Sequence, residues 1–157
     1  MLSENLPRYY VFEGVQKRLR HLVSRRLSLM HALLRNDSDE WSISHKLAEY
    51  LQTQFSDWHV DVEYNRDKNQ VKELNNENVH PDIIVHIRDT DNNLLVIEVK
   101  KSNNLKLIDD DRKRLIKFTS QEGKYKYLFG FLVIFYVAEE YRKPPLIELF
   151  QDSAQLK

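Results

Sequence analysis

Hydrophobic residues in the first third of the chain recur at three- and four-residue steps, the spacing that places them on one side of a helix. In the first such segment, from about Arg8 to Leu34, the positions on this stripe are Val15, Leu19, Leu22, Val23, Leu27, Met30 and Leu34. The second segment, from about Asp39 to Phe55, follows a polar turn and carries the stripe Ile43, Ser44, Leu47, Ala48, Leu51 and Phe55. The pattern predicts two amphipathic helices.

Two glutamates of the second predicted helix fall on different sides of it. Glu40 lies within the apolar stripe, whereas Glu49, nine residues later and about 180° round the helix, points to solvent. An acidic residue in the first turn also complements the helix dipole, so Glu40 has a purely structural interpretation beside any chemical one.

After residue 58 the pattern changes to alternation and short apolar runs, which are typical of strands. The predicted strands are 58–64 (half exposed), 81–88 (with Asp82 at its start), 94–101, 127–138 (buried on both faces) and 146–150 (an edge strand). The polar segment 65–79 predicts a flexible loop. Residues 109–121 predict a third helix, with Leu115, Ile116 and Phe118 inward and Gly123 stopping it.

The strand from Leu94 to Lys101 carries charges where a buried strand should carry hydrocarbon. Alternation places Leu94, Val96, Glu98 and Lys100 on one face, and Leu95, Ile97 and Val99 on the other. A carboxylate and an ammonium at the end of an apolar strand are costly unless something offsets them. Either the two groups neutralise each other or a metal ion lies beside them.

Composition narrows the classes of protein. The 157 residues suit one domain with a single core, and the absence of cysteine excludes disulfides, thiolate catalysis and cysteine zinc sites. The six histidines show no zinc-ligand spacing, and the three glycines are too dispersed for a phosphate-binding loop. The start shows no signal pattern and the longest apolar run is too short for a bilayer, so we expect a cytoplasmic protein without membrane contact.

The formal net charge is zero, but residues 1–36 hold seven bases against two acids, which leaves the remainder acidic. The first helix is therefore basic on its outer side. It could cover the core, form a homodimer with a second copy, or contact phosphates through Arg18, Arg20, Arg25 and Arg26.

The order helix, strand, strand, strand, helix, strand, with Glu40, Pro81-Asp82 and Glu98-Val99-Lys100 along it, resembles the PD-(D/E)XK nuclease superfamily over roughly residues 39–138. The resemblance implies an α/β fold (an α+β mixed sheet) with a restriction-endonuclease-like αβββαβ core. That core would occupy residues 37–157, with residues 1–36 as an added N-terminal basic amphipathic helix packed on it.

The resemblance also implies a chemistry. Asp82 and Glu98 would be the primary ligands of Mg²⁺ or Mn²⁺, Glu40 would add a ligand directly or through water, and Lys100 would orient the attacking hydroxide. Together these four catalytic residues would hydrolyse a phosphodiester, in DNA, with RNA left open. The alternative is a degenerate nuclease-fold module that binds nucleic acid or a protein partner. A protein partner could also supply specificity.

Further residues near the predicted site could contact phosphates. They are Lys101, Arg112, Lys113, Arg114 and Lys117. Gln121 and Tyr125 resemble the Gln-x-x-x-Tyr element of one helicase-linked branch of the superfamily, although Gly123 falls between them. In a purely structural interpretation, Glu98 and Lys100 form a surface ion pair and Asp82 caps a strand.

Overall fold

Both N-terminal helices are present in the computed structural model, which describes residues 8–64, 66–67, 70–74 and 77–156. They are α1, Arg8–Arg35, and α2, Glu40–Gln54. Asp39 caps α2, because its side chain accepts a hydrogen bond of 2.6 Å from the backbone N–H of Ser42. Every residue of the two predicted apolar stripes is buried, which confirms both helices and their inward faces.

The remainder of the chain alternates strands with one further helix. The strands are β1 His59–Val62, β2 Arg66–Asp67, β3 Gln70–Val71, β4 Glu73–Leu74, β5 Glu77–Asn78, β6 Ile83–His86, β7 Asn93–Lys101, β8 Phe129–Phe135, β9 Leu146–Gln151 and β10 Ala154–Leu156. Helix α3, Ile108–Thr119, connects β7 to β8, and a single 3₁₀ turn, Ala138–Glu140, follows β8.

Six of these strands form one mixed sheet in the order β1-β6-β7-β8-β9-β10. Neighbouring strands are antiparallel except β7 and β8, which are parallel. Two parallel neighbours need a crossover connection, and α3 supplies it. The described chain is thus a mixed α and β fold of three helices and a six-stranded sheet.

Apolar side chains fill both faces of the sheet. One cluster joins the stripes of α1 and α2 to β6, β7 and β8, with Ile83, Ile97 and Val99 among its members. The other lies under α3, where Leu115 and Phe118 pack with Val96, Leu132 and Ile134. Because β7 and β8 are covered on both faces, their ends carry the positions where a charged residue can reach solvent.

The predicted alternation along β7 is wrong at one residue. Leu94 packs in the same cluster as Leu95, not on the face of Val96. The pairing shifts there, because Val85 pairs with Leu95 whereas His86 pairs with Asn93, which leaves Leu94 as the extra residue of a β-bulge. A bulge resets the alternation, so the prediction holds only from Leu95 onward.

Two predicted boundaries are also corrected. The segment predicted as an edge strand, β9, is interior, because β10 pairs with it on the side away from β8. Helix α3 ends at Thr119, so Gly123 is not the residue that stops it. β10 is only three residues long and follows β9 after a two-residue turn, so the sequence gives it little strand signal.

The segment predicted as a flexible loop, 65–79, contains four short strands, β2 to β5. Residues 65, 68–69 and 75–76 lie outside the described residues, and the strands pair as β2 with β3 and β4 with β5. The hydroxyl of Tyr125 donates to the carbonyl of Glu73 at 2.9 Å and accepts from its N–H at 2.6 Å. The ammonium of Lys72 is buried 5.0 Å from the ring centroid of Tyr64. These contacts attach the segment to the apolar cluster under α3.

None of the helices in the described ranges combines the length and apolar composition that crossing a bilayer requires.

Candidate active site

Strand pairing brings Asp82 and Glu98 together. Ile83 pairs with Ile97 in the antiparallel β6–β7 ladder, so Asp82 and Glu98 are opposite each other one step further along. The backbone N–H of Val99 donates to Asp82 Oδ2 at 2.7 Å, which fixes the carboxyl group against β7. The hairpin spacing that the sequence predicts therefore places the two carboxyl groups side by side.

Both carboxyl groups are shielded from water, and this raises both pKa values. The side chain of Glu98 is only 3% exposed, and burial together with the nearby Asp82 raises its pKa well above 4.5. Burial raises the pKa of Asp82 to about 6, although hydrogen bonds from Val99 and Glu98 oppose the increase. The pair therefore resists carrying two negative charges unless a cation is close.

Lys100 lies on the same side of β7 as Glu98 and is held between two other carboxylates. Its ammonium is 3.2 Å from Asp111 Oδ2 and 3.6 Å from Glu40 Oε2. Burial lowers the pKa of Lys100, but the attraction of Asp111 and Glu40 outweighs this and raises it above 10.5. Lys100 is thus a fixed positive charge at the end of the strand.

Glu40 reaches the end of β7 from the α2 side of the sheet. Its Oε1 accepts from the backbone N–H of Lys101 at 3.3 Å and from the side-chain amide of Asn104 at 3.4 Å. Glu49 is exposed and pairs with Lys46 at 2.6 Å, as the helical stripe predicts. Glu40 therefore contacts the backbone and the ammonium of β7 rather than the Asp82 and Glu98 pair.

Helix α3 contributes two residues to the site from the opposite face. Asp111 is buried and contacts Lys100, and Arg114 contacts Glu98 at 3.2 Å between Nε and Oε1. Arg114 also forms a short ion pair with Asp111 through Nη2. Acidic and basic side chains thus alternate through five residues, which are Glu98, Arg114, Asp111, Lys100 and Glu40, and Asp82 lies beside Glu98 as a second carboxyl group.

Asp111 is a functional candidate that the sequence motif does not single out. It is one of three aspartates in the first turn of α3, where acidic residues complement the helix dipole. Its spacing to Leu115 and Phe118, four and seven residues, is the spacing of the inward stripe of α3. That periodicity distinguishes Asp111 from Asp109 and Asp110, and it is the sequence signal that identifies Asp111 as an inward-facing residue.

The other predicted phosphate contacts are mostly engaged elsewhere. Lys101 pairs with Asp37 at 2.8 Å, and Arg112 pairs with Glu148 and with Asp109. Lys113 lies 3.5 Å from Asp110. Of this group, Arg114 enters the site, and Lys117 is exposed in the last turn of α3.

Gln121 is not brought to the site. Its side-chain amide donates to the carbonyls of Thr119, at 3.0 Å, and Tyr127, at 3.3 Å, just after the end of α3. Tyr125 is buried and holds Glu73. The two residues join the helix end and the 65–79 segment to the sheet, which is a structural role.

The predicted basic residues of α1 lie on the outer face of that helix. Arg18, Arg20 and Arg25 are exposed, and Arg26 stacks over the ring of Tyr50 at 5.7 Å. The apolar stripe of the same helix is buried in the first cluster. Arg18, Arg20 and Arg25 are thus outside the packing that holds α1 in place.

The donor set at Asp82 and Glu98 suits a divalent cation. Mg²⁺ is commonly held by one or two carboxylates while it keeps several waters, and two facing carboxyl groups with raised pKa values can exchange a proton for a cation. Within the described ranges no group of three or more histidines and acids is arranged to hold a metal ion. The fit therefore rests on the carboxylate pair.

Comparison with known proteins adds no relative: no protein-family model matches the chain, and no curated protein matches it.

Proposed function

We propose that this chain is a divalent-cation-dependent nuclease with a restriction-endonuclease-like core, and that it hydrolyses a phosphodiester in DNA. One observation carries the proposal: the Asp82 and Glu98 carboxyl groups face each other, and Lys100 follows on the same side of the strand. A purely structural ion pair between Glu98 and Lys100 does not explain this arrangement, because Lys100 pairs with Asp111 and Glu40 instead.

The chemistry follows from the positions of these groups. A bound Mg²⁺ or Mn²⁺ would neutralise a phosphate oxygen and make a water molecule more acidic. Asp82 and Glu98 would hold that cation, and their burial strengthens their attraction to it. Lys100 would orient the attacking hydroxide and stabilise negative charge on the phosphate, and Asp111 and Glu40 hold its ammonium in place.

A plasmid-nicking assay with Mg²⁺ or Mn²⁺ tests the proposal. Wild type should nick the plasmid, and Glu98→Gln and Asp82→Asn should each lose at least about a hundredfold in rate, the scale of losing a group that stabilises charge in a transition state. Glu49→Gln, which alters an exposed glutamate of α2, is the matched control and should nick like wild type. Activity that survives in both site variants would contradict the proposal.

The second candidate is a degenerate module that binds nucleic acid without cleaving it. The observation that favours it is the outer face of α1, where Lys17, Arg18, Arg20 and Arg25 have no carboxylate partner among the described residues. Such a face can follow a phosphate backbone, and its binding should weaken steeply with salt. Charge-removing substitutions at Arg18, Arg20 and Arg25 should then reduce binding, with no cleavage by wild type.

A further inference from the structure

Arg114 makes a bridge that joins the proposed cation site to α3. Its guanidinium contacts Glu98 Oε1 at 3.2 Å and Asp111 Oδ1 more closely. The side chain of Arg114 is 35% exposed, whereas the side chains of both partners are only 3% exposed. A cation from a partly exposed position of α3 therefore contacts two buried carboxylates.

Charge pairing within the site makes Arg114 the cation of Glu98. Lys100 is the nearest alternative, but its ammonium contacts Asp111 and Glu40. The other charged neighbours of Glu98, which are Asp82 and Asp111, are also acidic. A buried carboxylate without a cation is strongly unfavourable, so Arg114 offsets a cost that the Asp82 and Glu98 pair creates.

We propose that Arg114 is the resident counter-ion of Glu98, that it leaves Glu98 when a divalent cation binds there, and that Asp111 then keeps its guanidinium in the site. This rests on the proposed function, because it takes the Asp82 and Glu98 pair as the cation site. A divalent cation binds a carboxylate oxygen at about 2.1 Å, and a guanidinium on the same oxygen opposes it by repulsion. Arg114 is thus a competitor of the cation.

Competition between Arg114 and the divalent cation predicts an unusual direction for the change in cation affinity. A variant that lacks the Arg114 charge should bind the divalent cation more tightly, because the cation no longer has to displace the guanidinium from Glu98. If Arg114 only supported the structure, removing it would loosen the site and weaken cation binding. The direction of the change therefore separates a counter-ion from a structural ion pair.

Isothermal titration of the full chain with MnCl₂ tests this proposal. Arg114→Gln should lower the Kd for Mn²⁺ by about tenfold, and Arg114→Lys, whose single ammonium cannot bridge two carboxylates as a fork does, should have a smaller effect in the same direction. Arg112→Gln is the matched control, since Arg112 lies on the same helix and is paired with Glu148 and Asp109 away from Glu98. It should bind Mn²⁺ like wild type.

Glu98→Gln identifies the site, and it should abolish the binding in every background. Far-UV circular dichroism establishes that each variant is folded, and Arg114→Lys carries the test if Arg114→Gln does not fold. Unchanged or weaker Mn²⁺ binding in the folded Arg114 variants, with binding by wild type, would overturn the counter-ion proposal and leave the proposed function standing. Absence of binding in wild type and all variants would overturn both. Binding that appears only in Arg114→Gln would support the counter-ion role.

Discussion

The ammonium of Lys100 lies 3.2 Å from the carboxylate of Asp111, a residue eleven positions further along the chain and on a different element. Lys100 is the penultimate residue of β7 on one side of the contact, and Asp111 begins the inward stripe of α3 on the other. Glu40 approaches the same ammonium from α2 at 3.6 Å. The position of Lys100 is therefore decided by both helices that flank the sheet end.

Replacing Asp111 by Asn should reduce the proposed nuclease activity without removing cation binding. Lys100 and Arg114 would both lose their closest carboxylate, so the ammonium would no longer be held at the site. We expect a fall in cleavage rate of about 10–100-fold, the range for residues that orient a site from behind it. The plasmid-nicking rate measures this, and Mn²⁺ titration should show a smaller change than Glu98→Gln.

Asp110→Asn is the control for that experiment. Asp110 is the preceding residue of α3, is exposed, and pairs only with Lys113 among the contacts described. The Asp110→Asn variant should cleave DNA like wild type. Equal losses in the two variants would mean that helix charge, rather than the contact with Lys100, is responsible.

Asp82 should make the protein less stable as the pH rises from about 4 to above 6. Its pKa is about 6 in the folded state and near 3.8 when unfolded, so between these values the folded state holds a proton that the unfolded state has lost. The contribution of Asp82 to the free energy of unfolding is on the order of 2–3 kcal/mol in total. It is fully present below pH 3.8 and is lost as the pH rises through 6.

Urea unfolding in the presence of EDTA, from pH 4 to pH 8, measures this dependence. Asp82→Asn should flatten part of the decline, and Glu98, whose pKa is also raised, should account for what remains. An identical slope in wild type and Asp82→Asn would show that Asp82 does not titrate in this window.

The contribution of Asp61 to the stability of the protein should have the opposite pH dependence. Burial raises its pKa, but hydrogen bonds from His86 at 2.7 Å and from Arg88 outweigh burial and lower it below 3.8. Its contribution is therefore present above pH 3.8 and is lost as the pH falls through the folded value. Asp61→Asn should cost about 1–3 kcal/mol at pH 7, because buried His86 loses a charged partner.

Urea midpoints at pH 7 and below pH 3.8 measure the effect, and the difference between wild type and Asp61→Asn should shrink at the acidic pH. Asp57→Asn, at an exposed turn position, is the control and should match wild type at both. Mn²⁺ binding should be unchanged in Asp61→Asn. A constant difference at every pH would contradict the assigned ion pair.

Two glycines should respond to alanine in opposite ways. A Cβ at Gly130 of β8 would lie 3.0 Å from Thr119 Cγ2 and 3.3 Å from Leu115 Cδ2, so Gly130→Ala should cost about 1–3 kcal/mol. A Cβ at Gly14 of α1 would meet nothing within 4 Å, and Gly14→Ala should stabilise by about 0.5–1 kcal/mol through helix propensity. Free energies of unfolding in urea measure both.

Adding Thr119→Ser to Gly130→Ala tests the cause of the loss. Serine removes Cγ2 but keeps the hydroxyl, which donates to the carbonyl of Leu115 at 2.9 Å. The double variant should recover part of the stability lost. No recovery would mean that the cost arises elsewhere than between α3 and β8.

The sequence by itself determined the three helices, five of the six strands of the main sheet and the pairing of Asp82 with Glu98. These depend on local spacing: the apolar periods of α1 and α2, and a hairpin short enough to fix its own register. Lys100 follows Glu98 on the same face for the same reason. A local pattern is sufficient wherever the residues that interact are close along the chain.

Only the tertiary structure decided what surrounds those residues. Glu40 reaches the end of β7 from α2, and Gln121 contacts the backbone beyond α3 instead of the site. Asp111 and Arg114 become partners of Lys100 and Glu98 because α3 packs on one particular face of the sheet. These contacts depend on how distant elements pack, and a charge near the start of a helix has the same local pattern whether it is exposed or buried.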